Sequence, residues 1–142
     1  MSYPPRINLP KAKGHFLVDI YGCQSEVGTA EYWLSRAPEL CELLHLNIRD
    51  SIVQRFSPHG VTLLYILAES HLAIHTWPEE NFATLEIFTC LPVSTHKANI
   101  ENFIQTIPCY KTEVTIIVRG AKYSSPHAGD IQLDNPLCTP EV

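Results

Sequence analysis

Short segments with alternating apolar side chains constrain the fold of this 142-residue chain more than any other feature of its sequence. Alternation with a period of two is typical of strands that bury one face and leave the other polar. The pattern predicts six strands, at about residues 14–23, 49–57, 61–68, 73–77, 82–90 and 113–119. Turn-forming residues separate them, including Ser57–Gly60 between the second strand and the third.

Two segments carry a helical pattern instead. Apolar residues recur at helical spacing from about Gly28 to Leu46, although Pro38 lies inside and should kink or restart the helix, because it removes a backbone donor. A second helix is predicted from about His96 to Thr106, with Ser94 or Thr95 as its N-cap. The order strand, helix, four strands, helix, strand predicts an α+β fold. We expect a two-layer sandwich in which both helices pack on one face of an antiparallel sheet.

The two ends of the chain lack such patterns. Residues 1–13 contain three prolines and are predicted to form an irregular N-terminal arm. Residues 120–142 are rich in Ser, Pro, Gly and Asp without any period, so we expect a loose C-terminal tail. One domain, at residues 14–119, is left between them.

Composition excludes several classes of function. A net charge of −5 without a Lys/Arg cluster argues against nucleic acid as a partner. No apolar run approaches the roughly 18 residues of a membrane span, and the N-terminus has no apolar signal segment. Five cysteines without a CxxC pair favour reduced thiols in the cytoplasm. A small-molecule substrate therefore remains the best partner class.

The segment Glu69–Glu79 concentrates reactive side chains directly after the predicted strand at 61–68. Such groups at the end of a rigid strand suit a chemical site. His71 and His75 have HxxxH spacing, and Cys90 could add a sulfur ligand. However, this spacing brings two rings together only on a helix, and on a strand they lie about 13 Å apart. No metal site is therefore expected here.

Self-cleavage is a second possibility at Glu69–Ser70. A serine hydroxyl can attack the carbonyl of the preceding residue and convert the amide to an ester. Removal of the serine α-proton then splits the chain by β-elimination, and the product hydrolyses to a pyruvoyl group and ammonia. His75 could supply the base if the chain folds back near His71 and Leu72.

Four motifs, in order along the chain, resemble the small prokaryotic type of pyruvoyl-dependent S-adenosylmethionine decarboxylase. They are Gly14–Cys23, Arg55–Thr62, Ala68–Glu79 and Phe88–Cys90. Leu91 departs from the family, which usually has glycine at that position, so the site beside it could be narrower.

The resemblance implies cleavage between Glu69 and Ser70 into a beta chain, 1–69, and an alpha chain, 70–142. Ser70 would become the pyruvoyl cofactor, whose carbonyl forms a Schiff base with the substrate amine and acts as an electron sink. His75 would be the proton acceptor in processing, and Cys90 would be the proton donor after carbon dioxide leaves.

The same resemblance implies three residues on the substrate side of the site. Phe56 would stack on the adenine, Glu79 would hold the ribose hydroxyls, and Thr62 would supply a hydroxyl that assists processing. The product would be decarboxylated S-adenosylmethionine, the aminopropyl donor of spermidine synthesis. The resemblance also implies a homodimer of cleaved protomers, with active sites at the interface built from both subunits.

Two alternatives stay open from the sequence. A decarboxylase of arginine or ornithine on the same fold would keep Ser70, His75 and Cys90 without needing an adenine platform. A non-catalytic homologue that regulates a true decarboxylase would leave the chain uncleaved.

Overall fold

The computed structural model describes residues 11–120, so most of the predicted N-terminal arm and all but the first residue of the predicted tail lie outside the described residues. Six strands form one antiparallel sheet in the order β2-β3-β4-β5-β1-β6. The strands are β1 (Lys13–Tyr21), β2 (Ile48–Arg55), β3 (Val61–Leu67), β4 (Ser70–Trp77), β5 (Phe82–Phe88) and β6 (Lys111–Arg119). The helices are α1 (Ala30–Leu43) and α2 (Val93–Ile104).

Both helices cover one face of the sheet, which confirms the predicted two-layer α+β sandwich. Their buried side chains, among them Trp33 and Ile100, pack with the alternate strand residues that point toward them in a single core. Trp33 is completely buried, and its indole N–H donates to the carbonyl of Val27 at 2.7 Å, which satisfies its polar atom. None of the described helices has the length and apolar character needed to cross a membrane.

The helix does not restart at Pro38, so that part of the prediction was wrong: α1 runs without interruption from Ala30 to Leu43. Pro38 removes only the hydrogen bond to the carbonyl of Leu34. The side chain of Leu34 is 40% exposed, so this side of the helix faces water, which can hydrate the free carbonyl.

The predicted N-cap of the second helix was also wrong. Helix α2 begins at Val93 after Pro92, and neither Ser94 nor Thr95 caps it with a side chain. Pro92 has extended backbone angles, and its carbonyl accepts the N–H of Thr95 at 3.0 Å. The proline therefore sets the start of the helix through its backbone.

Strand β4 begins at Ser70 and not at Ala73, and this difference affects the site directly. It pairs with β3 and β5 along its length, and His71 lies opposite both Ile66 and Phe88. The chain therefore does not fold back near His71 and Leu72, so the predicted possibility of a turn there was wrong.

The side of the sheet away from the helices, here called the open face, has no covering layer among residues 11–120. An antiparallel sheet with one wet face normally shows polar side chains there. Several apolar side chains lie on this face instead: Ile52 is 56% exposed, Ile66 49% and Leu64 39%. His15, His71, His75 and Glu86 lie on the same face, as the strand registers show.

Candidate active site

Glu69, Ser70 and Cys90 meet at one end of the sheet and are called the cleavage cluster here. The turn Ala68–Glu69 joins β3 to β4, so Ser70 is the first residue of β4. Phe88 is the last residue of β5 and lies opposite His71. Cys90 follows two residues later, and its side chain therefore lies beside Glu69. The thiol of Cys90 donates to Oε2 of Glu69 at 2.6 Å. The structure thus brings together the predicted cleavage bond and the predicted proton donor.

A cavity of about 210 Å³ lies at the cleavage cluster. Besides Ser70 and Cys90, it is lined by His45–Asn47 of the α1–β2 loop, and the carbonyl of Asn47 accepts the N–H of Ala68 at 2.9 Å. The sequence did not indicate this loop, because the predicted helix extended to Leu46 whereas α1 ends at Leu43, and because the loop matches none of the quoted motifs. A larger adjoining hollow of about 400 Å³ shares the loop but is not lined by Ser70 or Cys90.

The environment of Cys90 keeps its thiol protonated. Its pKa is raised chiefly because the thiol donates a hydrogen bond to the Glu69 carboxylate, and further by burial and by the negative charge of Glu69. A thiolate beside that carboxylate would lose the bond and face a like charge. Cys90 therefore holds a proton that it can deliver, as a general acid requires.

We expect Glu69→Gln to lower the pKa of Cys90, since the amide removes the negative charge that opposes the thiolate. The substitution is best made with Ser70→Ala, so that both proteins remain uncleaved. The rate of Cys90 alkylation by iodoacetamide, followed by peptide mass spectrometry across a pH series, gives the pH midpoint of thiol ionisation. The midpoint should fall relative to Ser70→Ala alone, while that of the buried Cys41, whose pKa of about 11 is set by burial, should stay in place. An unchanged Cys90 midpoint would contradict the claim that Glu69 raises the pKa of this thiol.

Thr62 and His75 form a second pair, away from the cleavage cluster. They lie opposite each other on β3 and β4, and Oγ1 of Thr62 is 2.9 Å from Nδ1 of His75. If Nδ1–H donates to the hydroxyl, Nε2 keeps its lone pair and can act as a base. This pair has the hydroxyl and the base that processing requires. However, it lies near the end of β4 that is far from Ser70 of the same chain.

The separation follows from strand geometry. His75 is five positions after Ser70 on the extended strand β4, which corresponds to roughly 16 Å. His75 cannot therefore reach the Glu69–Ser70 bond of its own protomer without dissolving β4.

The remaining predicted residues lie at the same end of the sheet as Thr62 and His75. Phe56 follows β2, is 52% exposed, and donates its backbone N–H to the carbonyl of Gly60 at 2.9 Å. Glu79 follows β4, and its Oε2 lies 3.1 Å from Nε2 of His59. Phe56, Thr62, His75 and Glu79 are called the distal cluster here. An aromatic face, an acid and a base are thus available about one strand length from Ser70.

Known proteins match this chain over the described domain. Residues 14–120 match the sequence profile of the family described as S-adenosylmethionine decarboxylase. The S-adenosylmethionine decarboxylase proenzyme of Thermococcus onnurineus is 32% identical over 107 residues, covering 75% of this chain and 76% of the relative. That of Clostridium botulinum is 30% identical over 107 residues and covers 75% of this chain and 92% of the relative.

A solved structure agrees in fold. The crystal structure of the adenosylmethionine decarboxylase from Aquifex aeolicus VF5 superposes with a TM-score of 0.67 at 26% identity, covering 76% of this chain and 90% of that chain. The profile match, the relatives and this superposition all name the same family. The chain belongs to the S-adenosylmethionine decarboxylase family.

Proposed function

We propose that this protein is a self-processing, pyruvoyl-dependent decarboxylase that converts S-adenosylmethionine to decarboxylated S-adenosylmethionine, the aminopropyl donor for spermidine. The family match supports the activity. The observation that carries the assignment to residues is the Cys90 thiol held 2.6 Å from the carboxylate of Glu69, beside Ser70. An arginine or ornithine decarboxylase would not need the exposed aromatic ring of Phe56 as an adenine platform.

Processing would start with attack of Ser70 Oγ on the carbonyl carbon of Glu69. The C–N bond of the peptide breaks as an ester C–O bond forms, and the freed amine stays on Ser70. A base then takes the α-proton of Ser70, the carboxylate of Glu69 leaves, and the chain is cut. Tautomerisation and addition of water release ammonia and leave a pyruvoyl group at residue 70. Ser70 suits this chemistry because it follows a turn and stands at the mouth of a cavity.

The residues around Ser70 fit a pyruvoyl group at that position. When formed, the group supplies a carbonyl that withdraws electrons from the substrate as carbon dioxide leaves. Cys90 lines the same cavity as Ser70 and would deliver a proton to the substrate α-carbon, since its raised pKa keeps the thiol protonated near neutral pH. Leu91 lines the cavity next to it and narrows the opening where the family has glycine.

The distal cluster would recognise the nucleoside. The exposed ring of Phe56 can stack on an adenine, and the carboxylate of Glu79 can accept hydrogen bonds from two ribose hydroxyls. His59, 3.1 Å from Glu79, holds that carboxylate in place until a substrate replaces the contact.

Both clusters act together only in a homodimer. In an isologous pair of protomers, open face against open face, the distal cluster of one subunit can lie over the cleavage cluster of the other. The apolar side chains on the open face, Ile52, Leu64 and Ile66, favour such a contact because burying them removes apolar surface from water. His75 of the partner subunit would then serve as the processing base for Ser70.

A cytoplasmic location fits this function. Cys23, Cys41, Cys90 and Cys109 are free thiols, and Cys90 must stay reduced to donate a proton. A reducing compartment is where such thiols persist.

The test is an intact mass spectrum of the purified protein, followed by a substrate panel. We expect two chains, 1–69 and 70–142, the second lighter by one ammonia than its encoded mass. Carbon dioxide release should occur from S-adenosylmethionine and not from arginine or ornithine. If the chain is cleaved but carbon dioxide is released only from arginine or ornithine, the protein is a decarboxylase of that amino acid instead. A stable uncleaved chain would support the regulatory role instead.

A further inference from the structure

Three side chains on neighbouring strands of the open face point at one another. Nε2 of His15 on β1 lies 2.8 Å from Oε1 of Glu86 on β5, and Nε2 of His71 on β4 lies 3.0 Å from the same oxygen. The donor atoms of all three lie within 4.8 Å of one another. We propose that His15, His71 and Glu86 form a binding site for a divalent transition-metal ion, with Zn²⁺ and Co²⁺ as the best-matched ions.

The strand register explains why these residues converge. His15 and His71 both lie opposite Phe88, one on each side of β5. Glu86 lies two residues before Phe88 on the same strand, so its side chain is on the same face, next to both rings. Because the three strands are fixed by hydrogen bonds on both sides, the donors are positioned by the sheet and not by a loop. Sites built on such elements hold their geometry well.

The two rings are also held in orientation. The ring of Phe88 contacts both imidazoles, with centroids 5.0 Å from His15 and 5.8 Å from His71. The imidazoles themselves meet edge to face at 6.3 Å. In the single protomer the side chains of His15, Glu86 and His71 are 16%, 34% and 48% exposed, so an ion can enter before a partner subunit covers the open face.

The donor set selects the kind of ion. Two imidazole nitrogens and one carboxylate oxygen are a common set for Zn²⁺, with a water in the fourth position, whereas Ca²⁺ and Mg²⁺ prefer oxygen ligands alone. Donors around a tetrahedral Zn²⁺ are roughly 3.4 Å apart, given bond lengths of about 2.1 Å. The present contacts of 2.8 and 3.0 Å therefore need to widen by only a few tenths of an ångström. This set differs from the His71, His75 and Cys90 combination considered from the sequence.

An ion at this position would tie together the strands that carry the reactive residues. His71 directly follows Ser70, and Phe88 lies two residues before Cys90. Metal binding would join β1, β4 and β5 close to the first residue of β4 and the last residue of β5, which lie next to the cleavage cluster. We therefore expect the ion to act as a positioning element for Ser70 and Cys90, without contact with the reacting atoms.

Cobalt titration of the full-length protein, freed of any histidine tag and stripped with a chelator, tests the site. We expect one Co²⁺ per chain with visible absorption bands of a tetrahedral site, displacement by Zn²⁺, and a higher thermal midpoint with metal. His15→Gln and Glu86→Gln should abolish the bands. His59→Gln is the matched control, because His59 is also an exposed histidine paired with one carboxylate, and it should leave the bands unchanged.

Three outcomes would overturn the proposal: no uptake below millimolar Co²⁺, uptake that survives Glu86→Gln, or equal loss in His59→Gln. If a variant fails to fold, long-range nitrogen NMR of the unaltered protein decides the matter. Zn²⁺ should then remove the Nε2 protons of two imidazoles, and an unchanged spectrum would show a hydrogen-bonded triad without an ion. None of these readouts depends on chain cleavage or decarboxylation, so they stand apart from the proposed function.

Discussion

Ser70→Ala should give a single uncleaved chain of 16.0 kDa and no measurable release of carbon dioxide. Alanine has no hydroxyl to attack the carbonyl of Glu69, so neither the ester nor the pyruvoyl group can form. The loss is complete because no other group in the chain supplies that carbonyl. A denaturing gel and an intact mass spectrum measure cleavage, and labelled carbon dioxide from carboxyl-labelled S-adenosylmethionine measures turnover.

Cys90→Ala is the matched comparison, since it removes a neighbour of the same bond without removing the attacking hydroxyl. This variant should still cleave, yet its turnover should fall by about 10²–10⁴-fold, the range for losing one general acid. Cleavage in Ser70→Ala, or cleavage at another bond, would contradict the assignment of Ser70. Full turnover by Cys90→Ala would remove Cys90 from the proton-donor role and leave the cleavage chemistry intact.

Strands β1, β3 and β5 could be predicted from the sequence because each buries alternate residues against the helices. Phe16, Val18 and Ile20, for example, are at most 1% exposed, and this burial is what a period of two reports. The start of β4 was missed because Ser70 and His71 are polar and make no apolar alternation. Their strand conformation comes from pairing with β3 and β5, which is a tertiary effect.

The sequence indicated candidate residues for the site but not their arrangement in space. Motifs placed Ser70, His75 and Cys90 in one short list, but only the sheet shows that His75 is at the other end of β4. The His15–Glu86–His71 cluster was missed for a related reason. His15 and Glu86 are 71 residues apart, and nothing local in the sequence indicates that β1 and β5 are neighbours.

Division of the site between the two ends of one sheet leads to a strong test of the dimer. Ser70→Ala and His75→Ala should each be inactive alone, the first without a pyruvoyl group and the second without its processing base. In a mixed dimer, Ser70 of the His75→Ala chain would face His75 of the Ser70→Ala partner, which restores one complete site.

Co-expression of the two variants with different affinity tags should therefore restore activity. Random pairing makes half of the dimers mixed, each with one working site, so we expect about a quarter of the unaltered protein's activity. Only the His75→Ala chain should be cleaved, and only in dimers carrying both tags. Co-expression of Ser70→Ala with Cys90→Ala is the control: both residues belong to the cleavage cluster, so no site in the mixed dimer regains both. If Ser70 and His75 instead worked within one protomer, the first pair would stay as inactive as the control, because each chain would carry its own defect into every dimer.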